Sequence, residues 1–150
     1  MADSETTPED LGIDPGRSAQ QLFRWLLASL LMGRNVQQTI GANAYRAFID
    51  AGYTSPGRFE EHGHADIVAV LDAAHYTRYD ESMATELHDV LVGVTHDYGS
   101  VHQLITSSKH RGEAHDRLVT YKGVGETTAR VFLDQVPEHL YAGDADDDAD

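Results

Sequence analysis

The residues best able to do chemistry lie in one run, Leu118-Val-Thr-Tyr-Lys-Gly-Val-Gly-Glu-Thr-Thr-Ala-Arg-Val-Phe-Leu133. The pattern predicts a helix, a tight Gly-Val-Gly turn and a second helix. Gly123 and Gly125 can take positive φ at little steric cost, so the chain can reverse within a few residues. The amides of Gly123, Val124 and Gly125, and those opening the next helix, are expected to point outward at the positive end of a helix dipole. Such a cradle takes an anion. A phosphate of a nucleic-acid backbone fits it and carries no base information. Lys122 and the hydroxyl of Thr127 can support that anion, and Arg130 lies one turn into the second helix. The same run also reads as an ordinary glycine turn between two core helices, and local sequence leaves both readings open.

Two further groups of side chains carry chemistry. Arg78-Tyr79-Asp80, preceded by Tyr76, could stack on a base and touch phosphate. Equally, the tyrosines could pack between helices while Asp80 caps one of them. Nine histidines invite a metal, but their spacing does not: no H-E-x-x-H occurs, and His88 and His96 stand about 12 Å apart by helical rise. No metal site and no cofactor are expected. The chain has no cysteine, which excludes disulfides, thiolate zinc and cysteine-held iron–sulfur clusters. Walker, G-x-G-x-x-G and G-x-S-x-G motifs are absent.

The chain has 150 residues, enough for one domain with a real core. Its net charge is −14, which at first argues against a DNA partner. Ten of the 25 acids lie in residues 1–14 and 144–150, leaving 15 against all 11 bases, a net of −4. Nine bases are arginine; only Lys109 and Lys122 are lysine. An acidic, lysine-poor, cysteine-free chain suits a cytoplasm of very high salt, where screening makes self-repulsion tolerable. No apolar run spans a bilayer, and Met-Ala-Asp-Ser-Glu lacks the basic start of a signal peptide. The expectation is a cytoplasmic protein with no membrane partner.

The elements that must position these residues all read as helices, without sustained strand-like alternation. Ser18 and Gln21 have capping-box spacing at the start of a helix to Met32, with Leu22, Trp25, Leu26 and Leu30 as its stripe. Asn35 can cap a second helix, with Gln38 at the reciprocal position. Ser55-Pro56 opens a short third helix, and His64 to His75 encloses a fourth with Ile67, Val68, Val70 and Leu71 inward. A long helix runs from about Asp80 to Gly99, and Ser100 caps a short one. Segments 112–120 and 126–135 flank the turn. The expected fold is all-α, one multi-helix bundle over residues 17–137, with acidic disordered segments at 1–16 and 138–150.

Taken together, these segments resemble the helix-hairpin-helix base-excision-repair superfamily, the endonuclease III-like DNA glycosylases. Lys122-Gly-Val-Gly-Glu-Thr-Thr-Ala129 looks like the family hairpin G-V-G-x-K-T-A. Phe23-Arg-Trp-Leu-Leu-Ala-Ser-Leu-Leu-Met32 followed by Val36-Gln-Gln-Thr-Ile40 resembles the opening helix pair. Leu71-Asp-Ala-Ala-His-Tyr-Thr-Arg-Tyr-Asp-Glu-Ser-Met-Ala84 resembles the turn and helix between them. Order and spacing hold over residues 18–136.

The resemblance implies binding of double-stranded, possibly damaged DNA, with a nucleotide turned out of the duplex. It implies that Arg34 occupies the place of the side chain that enters the duplex. The family's hairpin lysine, which forms a Schiff base with the sugar, falls on Thr127, which cannot form an imine. Lys122 lies five residues earlier, before the turn. The family's catalytic aspartate falls between Asp144 and Asp146, with no apolar helix behind to hold a carboxylate in place. The lobe built from sequence after the hairpin is missing here, and a separate protein partner could supply it. Three functions follow from this reading: sequence-independent DNA binding without catalysis, a monofunctional glycosylase using Asp144 or Asp146, and a protein-interaction module that kept the fold.

Overall fold

A helix that is apolar around its whole circumference must be enclosed, and the first helix is the case in point. In the computed structural model, which describes residues 6–33 and 36–143, α1 (Ala19–Met32) is buried at Leu22, Phe23, Trp25, Leu26 and every position from Leu27 to Met32. The expected stripe is therefore only part of its buried surface. Helices α2 (Gln38–Asp50), α5 (Asp80–Tyr98), α6 (Val101–Thr106) and α8 (Glu126–Asp134) pack directly around it. Helices α3 (Pro56–Glu61) and α4 (His64–Ala73) lean on α5, and α7 (Arg111–Leu118) pairs with α8. The fold is all-α, and the described residues contain no strand. None of their helices is long and apolar enough to cross a membrane.

Local chemistry sets the boundaries. Ser18 accepts the amide of Gln21 at 3.2 Å, as its spacing predicts. The reciprocal half of the box is diverted, because Gln21 Oε1 accepts instead from the amide of Asp14 at 2.8 Å. Ser100 caps α6 through Gln103, and Pro56 begins α3. Helix α2 begins at Gln38 with Gln37 as its N-cap, so Gln38 is not the reciprocal partner of a cap at Asn35; Asn35 itself lies outside the described residues. In α4, Ile67 and Leu71 are fully buried while Val68 and Val70 only flank the core.

Both edges of the expected domain move outward. Residues 6–16 are held: Ile13 is in the core, and the Thr6 amide donates to Gln38 Oε1 at 2.9 Å. Beyond Pro137, a 3₁₀ turn (Glu138–Leu140) brings Tyr141 into the core, and the Ala142 amide donates to Ser108 O at 2.9 Å. Among the described residues of the two flanks, Ile13 and Tyr141 are the ones buried in the core.

Candidate functional site

The Gly-Val-Gly turn is built as a hairpin between α7 and α8. Gly123 sits at φ 104°, a left-handed conformation that a side chain would resist. Gly125 does not use that freedom: at φ −91° it is the N-cap of α8, with no side chain capping the helix. The Val124 side chain is buried, and its amide donates to Tyr121 O at 3.0 Å. That corrects the expectation for Val124: its N–H closes the turn and is not offered to an anion. The amides of Gly123, Gly125, Glu126, Thr127 and Thr128 donate to no acceptor among the described residues. The last four surround the first turn of α8, where a helix has unsatisfied donors and partial positive charge.

Four contacts fasten this hairpin to the rest of the fold. Trp25 Nε1 donates to Phe132 O at 3.1 Å, binding α8 to the central helix. Thr128 lies against Gly33, so closely that a Cβ on Gly33 would meet Thr128 Oγ1 at 2.1 Å. On the other side, the Tyr121 hydroxyl donates to Asp97 Oδ2 at 2.5 Å. Burial and that bond to a carboxylate push the Tyr121 hydroxyl well above the usual phenol range. Finally, the Glu86 stem packs on Gly123. The hairpin is thus positioned by α1 and α5, the helices that carry the two other resembling motifs.

A shallow depression of about 560 Å³ opens at the hairpin, lined by Gly33, Lys122, Gly123, Gly125, Glu126, Thr127 and others. Lys122 is exposed and forms no ion pair with a described residue. Thr127, at the position of the family lysine, is exposed at the depression's edge. The electrostatics are mixed. Glu86 lies over Gly123, and the Glu126 carboxylate stands 3.3 Å from His115 Nε2 at the start of α8.

A second depression, of about 450 Å³, is lined by Val36, Gln37, Ile40, His75, Tyr76, Thr77 and Arg78. Gly33 at the end of α1 lines the first depression, and Val36 shortly before α2 lines the second. Arg34 belongs to the α1–α2 connection and lies outside the described residues, as do Asp144 and Asp146. Arg78 is exposed and its guanidinium sits 5.1 Å from the centre of the Tyr79 ring. Tyr76 packs inside: it is buried and its hydroxyl donates to Leu31 O at 3.0 Å. It is therefore a structural strut and not a platform for a base. Asp80 is the first residue of α5 and not its cap; the cap is Tyr79, at φ 70°.

Arg130 lies on the outer side of α8, 3.3 Å from Asp134 and across from Arg111 and His115 of α7. Sequence reasoning missed Glu86, Arg111, His115 and Asp134. Of these only Asp134 carried a signal, its i,i+4 spacing from Arg130. The others reach the hairpin from different helices. Among the described residues, no group of three or more potential ligands could hold a metal ion. In comparisons with family models, curated proteins and solved structures, the chain matches none.

Proposed function

We propose that this chain binds duplex DNA through its phosphate backbone, as a relative of base-excision-repair glycosylases that keeps the binding hairpin and lacks the catalytic lysine. One observation carries the reading. At the start of α8 the amides of Gly125, Glu126, Thr127 and Thr128 meet no acceptor among the described residues, and Lys122 beside them forms no ion pair with a described residue. Four donors at a helix N-terminus suit one phosphate and read no base. Gly123 makes the turn, Thr127 supplies a hydroxyl, Arg34 probes the duplex, and Arg78 and Arg130 hold flanking phosphates. The reading puts the protein in the cytoplasm, with double-stranded DNA as its partner. Thr127 cannot form an imine, so no strand cleavage is expected.

The test is duplex binding across a series of salt concentrations for the wild type, Lys122→Ala and Gly125→Pro. Proline removes one donor amide at a position whose φ of −91° is not far from proline's own range. Binding should weaken in both variants and fall steeply with salt in the wild type. Unchanged binding in Gly125→Pro would remove the hairpin from the account.

A second reading, a protein-interaction module, has Glu86 and Glu126 on its side, since both bring negative charge to the hairpin. Salt separates the two: apolar association does not weaken as counterions are added, whereas phosphate binding does.

A further inference from the structure

The last two carbonyls of α1 are both taken by side chains. Leu31 O accepts from the Tyr76 hydroxyl at 3.0 Å, and Met32 O from Gln38 Nε2 at 3.4 Å. A helix leaves its final carbonyls without partners of its own, so these two bonds fix what packs over the end of α1. On one side that is the turn before α5; on the other it is the first turn of α2. A Cβ on Gly41 would meet Met32 Cγ at 2.7 Å and Leu31 O at 3.0 Å, so α2 sits tight on that end. The same two pieces wall the depression that Arg78 lines, with Gln37 and Ile40 at the start of α2 and Tyr76 and Thr77 in the turn. No carboxylate stands among its described lining residues, whereas Glu126 lines the hairpin depression.

The α2 wall has a weak end. Gln37 is the N-cap and makes no side-chain capping bond, so the first turn depends on Gln38. The Gln38 carboxamide is used on both its atoms: Nε2 donates to Met32 O, and Oε1 accepts the Thr6 amide at 2.9 Å. Thr6 opens the flank of residues 6–16, which Ile13 anchors in the core and which Arg46 of α2 meets at Asp10 O, 3.4 Å away. Two carboxylates of this flank turn onto its own amides, Asp10 onto Thr7 and Asp14 onto Gly16. The bond from Thr6 to Gln38 joins two neutral groups, and ionic screening acts on charges. We propose that residues 6–16 are a strap that positions the Arg78 depression for a duplex phosphate, with Gln38 as the positioning residue. This rests on the reading that the chain binds duplex DNA, and it gives the acidic flank a part in that binding. Gln38 itself touches no nucleic acid. It holds the α2 wall at a set separation from Arg78, so the phosphate meets a site already ordered.

The experiment measures duplex affinity at several potassium chloride concentrations, at a temperature where every variant is folded. The variants are Gln38→Met, Thr6→Pro, Arg78→Ala, Gln38→Met with Arg78→Ala, and Gly125→Pro. Thr6→Pro removes the strap's donor amide, and Gln38→Met removes the whole bridge at similar volume. Each should weaken binding about two- to tenfold, the population shift that one lost hydrogen bond produces. Arg78→Ala should make the slope of log affinity against log salt shallower by about 0.9, one phosphate contact. In that background Gln38→Met should weaken binding no further, which a general loss of stability would not reproduce. Should Gln38→Met fail to fold, Thr6→Pro makes the same comparison, alone and with Arg78→Ala. Wild-type affinity in both strap variants, or an equal loss in the Arg78→Ala background, overturns the positioning role; if Gly125→Pro is weakened, the hairpin reading stands. Wild-type binding in Gly125→Pro overturns the hairpin reading and this proposal with it.

Discussion

A Cβ placed on Gly123 would fall 2.7 Å from Cγ of Glu86, so α5 presses directly on the hairpin. Gly123 thus has two reasons to be glycine: the contact, and φ 104°. Gly125 has neither, with nothing within 4 Å of its would-be Cβ. Gly123→Ala should therefore lower unfolding free energy by about 2 kcal/mol, combining left-handed strain with a displaced Glu86. Gly125→Ala should stay within about 0.5 kcal/mol of wild type. It keeps its N–H, so it should also keep duplex binding. Urea denaturation separates the two; equal costs would mean that the turn does not have this geometry.

The contact between Gly33 and Thr128 joins the end of α1 to the first turn of α8. Gly33 has an ordinary helical φ of −87°, so its constraint is purely one of space. Gly33→Ala would bring a Cβ to 2.1 Å from Thr128 Oγ1 and 3.0 Å from Ser29 O. Overpacking of this kind costs about 1–3 kcal/mol. Thr128→Ala removes the nearer obstacle but not the backbone carbonyl. The double variant should recover part of the loss, with a coupling energy of at least about 0.5 kcal/mol. Strict additivity in the cycle would show that the helices do not meet here.

These contacts mark the limit of what the sequence discloses. The 3.6-residue periodicity of α1, α2, α5 and α8, the Ser18 and Ser100 caps and the Gly-Val-Gly turn are local properties, and each was legible. The role of Val124 was not: whether an amide in a turn is free depends on which carbonyl the turn brings to it, and here Tyr121 O takes it. Glu86 was invisible because 37 residues separate it from Gly123 and only the packing of α5 unites them. Likewise the sequence favoured packing for Tyr76 but did not disclose its partner, Leu31 O, which lies 45 residues away. Nor does composition disclose that Ile13 and Tyr141 are buried in the core.

The turn between α4 and α5 places Asp72 and Asp80 side by side. A hydrogen bond shared with Asp80 raises the Asp72 carboxyl above its ordinary 3.8, and burial and the charges of Asp80 and Glu81 raise it further. The folded state therefore holds this proton more tightly than the unfolded state does. The stability Asp72 contributes is greatest below pH 3.8 and is lost as pH rises through the raised value. At neutral pH, Asp72→Asn should raise the thermal midpoint, and the gain should shrink as the pH falls toward 3.8. A neutral-pH midpoint at or below that of wild type would contradict the shared bond.

Tyr121 supplies the opposite pH window. Its hydroxyl donates to Asp97 Oδ2, and its folded pKa stands above the unfolded value of 10.0. A raised folded value means stability that is complete below pH 10 and is lost as pH climbs toward the folded value, because the unfolded chain ionises first. Tyr121→Phe deletes the bond and leaves Asp97 to solvent, so at neutral pH it should cost about 1 kcal/mol. The difference between the two proteins should then narrow above pH 10, as wild type alone surrenders this contribution. The ring still covers Gly93 in the variant, whose Cβ would sit 3.1 Å from Tyr121 Cε1, so packing is held constant. A gap that stayed constant across the alkaline range would assign the loss to packing and remove the Tyr121–Asp97 bond from what fastens the hairpin to α5.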